Sequence, residues 1–308
     1  MADTSRAAFV FPGQGAQFVG MGAELAEHSA AARDLFSQTN EILGRDLLKV
    51  MREGPEEDLK RTENTQPAVV AFSTALLNEV TARGIKASVV AGHSLGEYTA
   101  LVASGVLTFA EVMKLVELRG KLMGRAGDQA PGGMAAVMGL ADDKLAEICE
   151  QTPGIVVVAN YNSPGQTVVS GENAAVAAAC ESFKAAGAKR ALMLPVAGAF
   201  HSPLMAQANE ELMAAIDALE FREPAVAVVT NVDGAAHQNS GEIRSLLKRQ
   251  MVSGVHWTKS VETMRQLGVG HYIEIGPGKV LAGLIKRIDK EAQTSGVASW
   301  EESQALNA

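Results

Sequence analysis

Ser88-Val89-Val90-Ala91-Gly92-His93-Ser94-Leu95-Gly96-Glu97-Tyr98 is the stretch whose reading decides the fold. A β-branched run enters a glycine, a serine follows two positions later, and a second glycine follows two after that. Thr99-Ala100-Leu101-Val102-Ala103 behind it is a good helix former. Strand, Gly-x-Ser-x-Gly turn and helix in that order form the context of a nucleophile elbow. Gly92 and Gly96 lack the Cβ atoms that would clash where strand and helix cross, so Ser94 can occupy a strained apex. Its hydroxyl then lies at a helix N-terminus, beside backbone N–H groups able to stabilise an oxyanion. The same pattern also fits a tight turn around a buried serine, and what the serine attacks must be read elsewhere.

Composition narrows the choice. At 308 residues the chain is longer than most single domains, so a large core with a small second domain is expected. A formal net charge of −8 argues against a nucleic-acid or membrane-surface binder. No apolar run reaches the roughly 18 residues of a spanning helix. Met1 to Arg6 lacks signal-peptide anatomy and passes into a strand-like Ala7–Phe11. Cys149 and Cys180 sit in helical contexts, which favours buried thiols in a reducing cytoplasm over a disulfide framework. No cysteine–histidine spacing suggests a metal site.

Along the chain, strands alternate with helices, the pattern of a mostly parallel sheet covered on both faces. The first strand ends in Phe11-Pro12-Gly13-Gln14-Gly15-Ala16-Gln17, which is neither a phosphate loop nor a dinucleotide fingerprint. Short polar helices fill Met21 to about Lys60. Asn64-Thr65-Gln66-Pro67 reads as the capped opening of a buried helix with its body at Ala68–Ala82. After the elbow helix, Thr108–Arg125 is amphipathic and carries Arg119; a surface position with its head in water is the ordinary expectation for such an arginine. Gly127–Gly133 is hinge-like, and a β-α-β-β-α-β order follows, the ferredoxin-like arrangement. The expected division is a large α/β hydrolase-like domain, 1–129 with 197–308, and a small ferredoxin-like domain, 130–196. Residues past about Ser295 are polar and expected to fray.

A serine nucleophile needs a base within hydrogen-bond reach. Of six histidines, His201 in Gly198-Ala199-Phe200-His201-Ser202-Pro203 leads, because that loop re-enters the large domain from the small one. His237 and His271 stand behind it. A serine esterase or lipase is one function class: an α/β-hydrolase would draw its acid from Asp142, Asp143 or Glu172, and a patatin-like enzyme from the Asp233-Gly234 turn. Neither accounts for Arg119 or for the glycine–glutamine loop at Gln14.

The Phe11–Gln17 loop, Gly92–Glu97, Arg119, Gly198–Ser202 and Gly276-Pro277-Gly278 together resemble the malonyl-CoA:acyl carrier protein transacylases of bacterial fatty-acid synthesis. The likeness runs nearly end to end, in order. It implies that Ser94 is the nucleophile, His201 its base, and the backbone N–H groups of Gln14 and Leu95 the oxyanion hole. It makes the main-chain carbonyl of Gln250 the group that orients His201, so that the Gln250 side chain should matter less than its backbone. Arg119 is implied to bind the malonyl carboxylate, and Phe200 to select malonyl over methylmalonyl. The resemblance implies ping-pong transfer from malonyl-CoA to the phosphopantetheine thiol of acyl carrier protein, with no resident cofactor. Because the chain is acidic, docking of an acidic carrier protein requires a local basic patch; Lys189-Arg190, Lys248-Arg249 and Lys286-Arg287 are the candidates.

Overall fold

The computed structural model describes residues 3–129, 132–196 and 198–306. Strand β1 (Asp3–Phe11) is followed by four short helices, α1 (Ala23–His28), α2 (Ala30–Leu43), α3 (Leu47–Glu53) and α4 (Glu56–Lys60). Helix α5 (Thr62–Ala82) leads to β2 (Val89–Gly92), the elbow, α6 (Gly96–Ala103) and α7 (Phe109–Gln129). Next come β3 (Gly132–Met138), α8 (Asp142–Gln151), β4 (Val156–Ser163), β5 (Gln166–Glu172), α9 (Asn173–Ala185) and β6 (Arg190–Met193). One 3₁₀ turn (Pro203–Met205) precedes α10 (Ala206–Asp217), β7 (Ala227–Val229), β8 (Ala236–His237), α11 (Ser240–Gln250) and α12 (Trp257–Gln266). The chain closes with β9 (Val269–Ile275), α13 (Val280–Ile288), β10 (Gln293–Val297) and α14 (Trp300–Ala305).

Two sheets result. The larger has the order β10-β9-β1-β2-β7-β8 and is parallel except for the β7–β8 pair. Its central strands read as apolar runs, Ala7–Phe11 in β1, Val89–Gly92 in β2 and Ala227–Val229 in β7, because both faces are covered there. Phe9, Phe11, Val90 and Val228 enter the core beneath α5, α6 and α7, whereas Ala8, Val10, Val89, Ala91, Ala227 and Val229 face α12 and α13. The smaller sheet has the order β4-β5-β3-β6 with antiparallel neighbours, and α8 and α9 cover one face over Leu145, Val169, Val176 and Phe183. This is the mixed α/β architecture, with a ferredoxin-like unit, that the pattern predicts. The expected boundaries at 129/130 and 196/197 touch residues 130, 131 and 197, which lie outside the described residues.

Three local expectations are corrected. Helix α5 begins at Thr62, and Pro67 lies inside it. The carbonyl that Pro67 leaves without an amide donor, that of Glu63, accepts instead from Arg45 Nη2 at 2.9 Å, so it keeps a hydrogen-bond partner. Helix α7 continues to Gln129, through the first residues of the hinge-like run. The described residues past Ser295, 296–306, do not fray: β10 pairs with β9, and α14 is capped by the Ser299 side chain, which accepts from Glu302 N.

Candidate active site

The elbow forms as expected, and its glycines are obligatory. A Cβ on Gly92 would overlap the Gly96 backbone, and one on Gly96 would overlap the Phe11 carbonyl where β1 passes beneath. Ser94 has φ 50°, in the left-handed region that disfavours a side chain. Asn231, just past β7, holds it there. Its Oδ1 accepts from Ser94 N at 2.7 Å, and its Nδ2 donates to the Gly92 carbonyl at 2.6 Å. A single amide therefore grips both sides of the strained turn.

His201 is 4% exposed and also left-handed, with φ 58°. Its Nδ1 lies 3.0 Å from the Gln250 carbonyl and 3.1 Å from that of Ser253. Two carbonyls can only accept, so Nδ1 carries the hydrogen and the lone pair is on Nε2. That atom is 2.7 Å from Ser94 Oγ. Burial, followed by the field of Arg119, pushes the imidazole down to about 3, so the ring is neutral and able to accept a proton.

The other candidate bases are engaged elsewhere. His237 lies between Asp233 and Glu242, at 2.9 Å from each. His271 Nε2 meets Ser295 Oγ. The candidate acids are likewise diverted: Asp233 to Thr230 and His237, Asp142 to Thr167, and Glu172 to Ile155 N. Asp143 is exposed at the start of α8, where it bonds Lys144 N.

Arg119 departs from the ordinary expectation for a helix arginine. It is 1% exposed, on the face of α7 that packs against α5. Its partners are all neutral: Gln66 Oε1 at 2.9 Å, Gln250 Oε1 at 3.2 Å and Ser94 Oγ at 3.3 Å. Its Cζ lies 5.4 Å from the centre of the Tyr98 ring, a cation–π contact. Nε has no partner among the described residues. Burial lowers the guanidinium pKa, while a group that starts so high keeps its charge.

Gln250 is fully buried and its side chain is as engaged as its backbone. Nε2 donates to the Ser94 carbonyl at 2.9 Å and to Glu97 Oε2 at 2.8 Å. Beside the main-chain carbonyl expected to orient His201, the side chain thus makes its own contacts to the elbow. Glu97, on the first turn of α6, also accepts from Asn231 N at 3.1 Å. Burial raises its carboxyl to about 7, opposed by the hydrogen bonds from Gln250 and Asn231 and by the charge of Arg119.

These groups surround a cavity of about 160 Å³ lined by residues of both sheets' units, among them Gln14, Arg119, Met134, Asn160, Phe200 and His201. A cleft of about 890 Å³ shares Gln14, Val196 and Phe200 with it. Phe200 is nearly buried at their junction. His93 turns away from Ser94 and its Nε2 meets Asn162 Oδ1 at 2.7 Å. Asn231, Gln66, Asn162 and Ser253 escaped the sequence reading. Gln66 alone left a signal, as an amide just ahead of the apolar Ala68–Phe72 run of a helix read as buried.

Residues 8–301 match the acyl transferase domain family. The chain belongs to that family. It is 47% identical over 284 residues to the malonyl CoA-acyl carrier protein transacylase of Escherichia coli K12, covering 91% of this chain and 92% of that protein. The Bacillus subtilis protein of the same name is 41% identical over 300 residues, 96% of this chain and 95% of its own. Among solved structures, an acyl carrier protein S-malonyltransferase from Vibrio cholerae superposes with a TM-score of 0.95 at 44% identity, covering 98% of this chain and all of that one. A malonyl-transacylase in complex with a type II PKS acyl-carrier protein superposes with a TM-score of 0.94 at 42% identity, covering 97% and 98%. This acyltransferase therefore matches its relatives across almost its whole length, the smaller sheet included.

Proposed function

We propose that this acyltransferase moves the malonyl group of malonyl-CoA to the phosphopantetheine thiol of an acyl carrier protein through a malonyl ester on Ser94. One observation carries the choice of acyl group: a buried guanidinium with only neutral partners stands 3.3 Å from the nucleophile. A planar carboxylate matches two parallel guanidinium N–H donors. Each hydrogen bond to a charged group contributes about 1.5–3 kcal/mol net. An acetyl group leaves those donors unmatched, so selection arises from desolvation as well as attraction.

His201 Nε2 takes the Ser94 proton as Oγ attacks the thioester carbonyl, and the carbonyl oxygen becomes an oxyanion facing the backbone N–H groups of Leu95 and Gln14. The C–S bond breaks, and His201 returns its proton to the leaving CoA sulfur. The carrier protein's thiol then gives its proton to the same Nε2 and attacks the ester carbonyl; the bond from Ser94 Oγ to the acyl carbon breaks, and Nε2 returns the proton to Oγ. The carbonyls of Gln250 and Ser253 hold the imidazole in one tautomer through both halves. Phe200 fills the space beside the malonyl α-carbon, which disfavours a methyl branch there. Catalysis draws on the two units, 1–129 with 197–308 and 130–196, that face each other across the cavity, and none of these steps calls on a metal or a resident cofactor.

A serine esterase shares the nucleophile and base, and the buried Arg119 argues against it. Exposure to radiolabelled malonyl-CoA, acetyl-CoA and a simple ester, followed by precipitation, separates the two. A malonyl adduct that is absent in Ser94→Ala and weakened in Arg119→Ala supports transfer. Fast ester hydrolysis without a malonyl adduct sinks it.

A further inference from the structure

Two buried ionisable side chains, Arg119 and Glu97, stand on opposite sides of one amide. Arg119 Nη2 donates to Gln250 Oε1 at 3.2 Å, and Gln250 Nε2 donates to Glu97 Oε2 at 2.8 Å. The amide dipole points its oxygen at the cation and its hydrogens at the carboxyl, so each bond polarises the other. Arg119 Nε and Glu97 Oε1 lack partners among the described residues, so neither charge is saturated locally. The charged and titratable groups that influence Glu97 are Arg119 from α7 and Asp233 from the turn after β7, with the phenol of Tyr98 beside it on α6. His201 and His93, both held below the usual histidine range by burial, are neutral near pH 7. Arg119 is thus the one cation acting on Glu97 in this group.

We propose that Glu97 is the resting counter-charge of Arg119, relayed by Gln250, and that a substrate carboxylate takes over this role, leaving Glu97 to bind a proton from solvent. One buried cation cannot offset two buried anions, because the uncompensated one bears its full desolvation cost. The substrate carboxylate, with two N–H donors on hand, stays ionised; Glu97, whose carboxyl is poised at about 7, is the group that neutralises. An uncharged acyl group such as acetyl leaves the resting pair in place. The inference rests on the assignment of Arg119 to the acyl carboxylate, and it adds a proton to the binding equilibrium.

Calorimetry of malonyl-CoA binding to the Ser94→Ala protein, in buffers of different ionisation enthalpy, counts that proton. Expected is a net uptake at pH 7 that grows at pH 8, with affinity falling above pH 7 toward about tenfold per pH unit. Adding Glu97→Gln should abolish both the uptake and the slope while binding persists. Acetyl-CoA should show neither. Should Glu97→Gln not fold, the infrared absorption of a protonated carboxyl appearing on malonyl-CoA binding to Ser94→Ala, and not on acetyl-CoA binding, supplies the same answer. Malonyl-CoA binding that needs Arg119 but takes up no proton, or uptake that survives Glu97→Gln, overturns the inference alone. Malonyl-CoA binding that is unchanged in Arg119→Ala overturns the inference and the underlying assignment together.

Discussion

His201 Nδ1 donates to the main-chain carbonyl of Gln250 at 3.0 Å, at the position where many serine hydrolases place a carboxylate. A carbonyl fixes the tautomer without adding a negative charge; its hydrogen bond raises the basicity of the ring by less than burial and Arg119 lower it. Since the carbonyl survives any substitution at position 250, Gln250→Ala separates backbone from side chain. We expect kcat/KM for malonyl-CoA to fall by about tenfold to a hundredfold, the effect of leaving buried polar partners unmatched. His201→Ala should cost about 10²–10⁴-fold, with kcat carrying the loss. Equal losses in the two variants would mean that the carbonyl is not what positions the ring.

Burial sets the acid limb of the pH–rate profile. The folded pKa of His201, about 3, lies below the ordinary 6.5, so the unfolded chain binds the extra proton between those values. Stability contributed by the neutral ring is complete above pH 6.5 and is lost as pH falls toward 3. The acylation rate at saturating malonyl-CoA, measured by rapid quench, should therefore show no acid limb near pH 6.5. An acid limb centred there would show that the base titrates as an exposed histidine.

Asn231→Ala should loosen the elbow. Two hydrogen bonds vanish at a turn that holds Ser94 at a positive φ, and the Ser94 N–H and Gly92 carbonyl lose their partner. The expected cost is about 1–3 kcal/mol of stability, read from denaturant melts. Acylation should slow while KM changes little, because Asn231 contacts the turn rather than the cavity. Unchanged kcat in a destabilised protein would reduce Asn231 to a packing role.

The three basic pairs do not offer equivalent docking groups. Lys248 is 2.7 Å from Asp217 and only 25% exposed, whereas Lys189 and Arg190 are exposed at the start of β6. Arg287 reaches from α13 to Gln166, whose cross-strand partner is Met138; Met138 in turn pairs with Arg190. Arg190→Glu with Arg287→Glu should raise KM for carrier protein and flatten its salt dependence, leaving the half-reaction with malonyl-CoA unchanged. Lys248→Glu with Arg249→Glu should do neither. A reversed pattern places the docking surface on α11.

The elbow, the helix–strand alternation and the ferredoxin-like order are legible because each rests on local chemistry: glycine spacing, apolar period and turn residues. Arg119 is legible only through family likeness; spacing alone cannot reveal that α5 seals it from water. Asn231 is invisible for a related reason. Its role depends on β7 lying beside β2 in the sheet, which lets Asn231 bond Gly92, 139 residues away. The order of β10 is not legible either, because it comes from pairing with β9 and not from its own polar sequence.

Val255 donates to the Ala159 carbonyl at 2.8 Å and accepts from Tyr161 N at 2.9 Å, stitching the loop after α11 to the edge strand of the smaller sheet. That loop also supplies the Ser253 carbonyl to His201. The tie to the smaller sheet and one of the two carbonyls that orient the base therefore sit two residues apart on a single loop, so the register of that loop serves the seam and the imidazole at once.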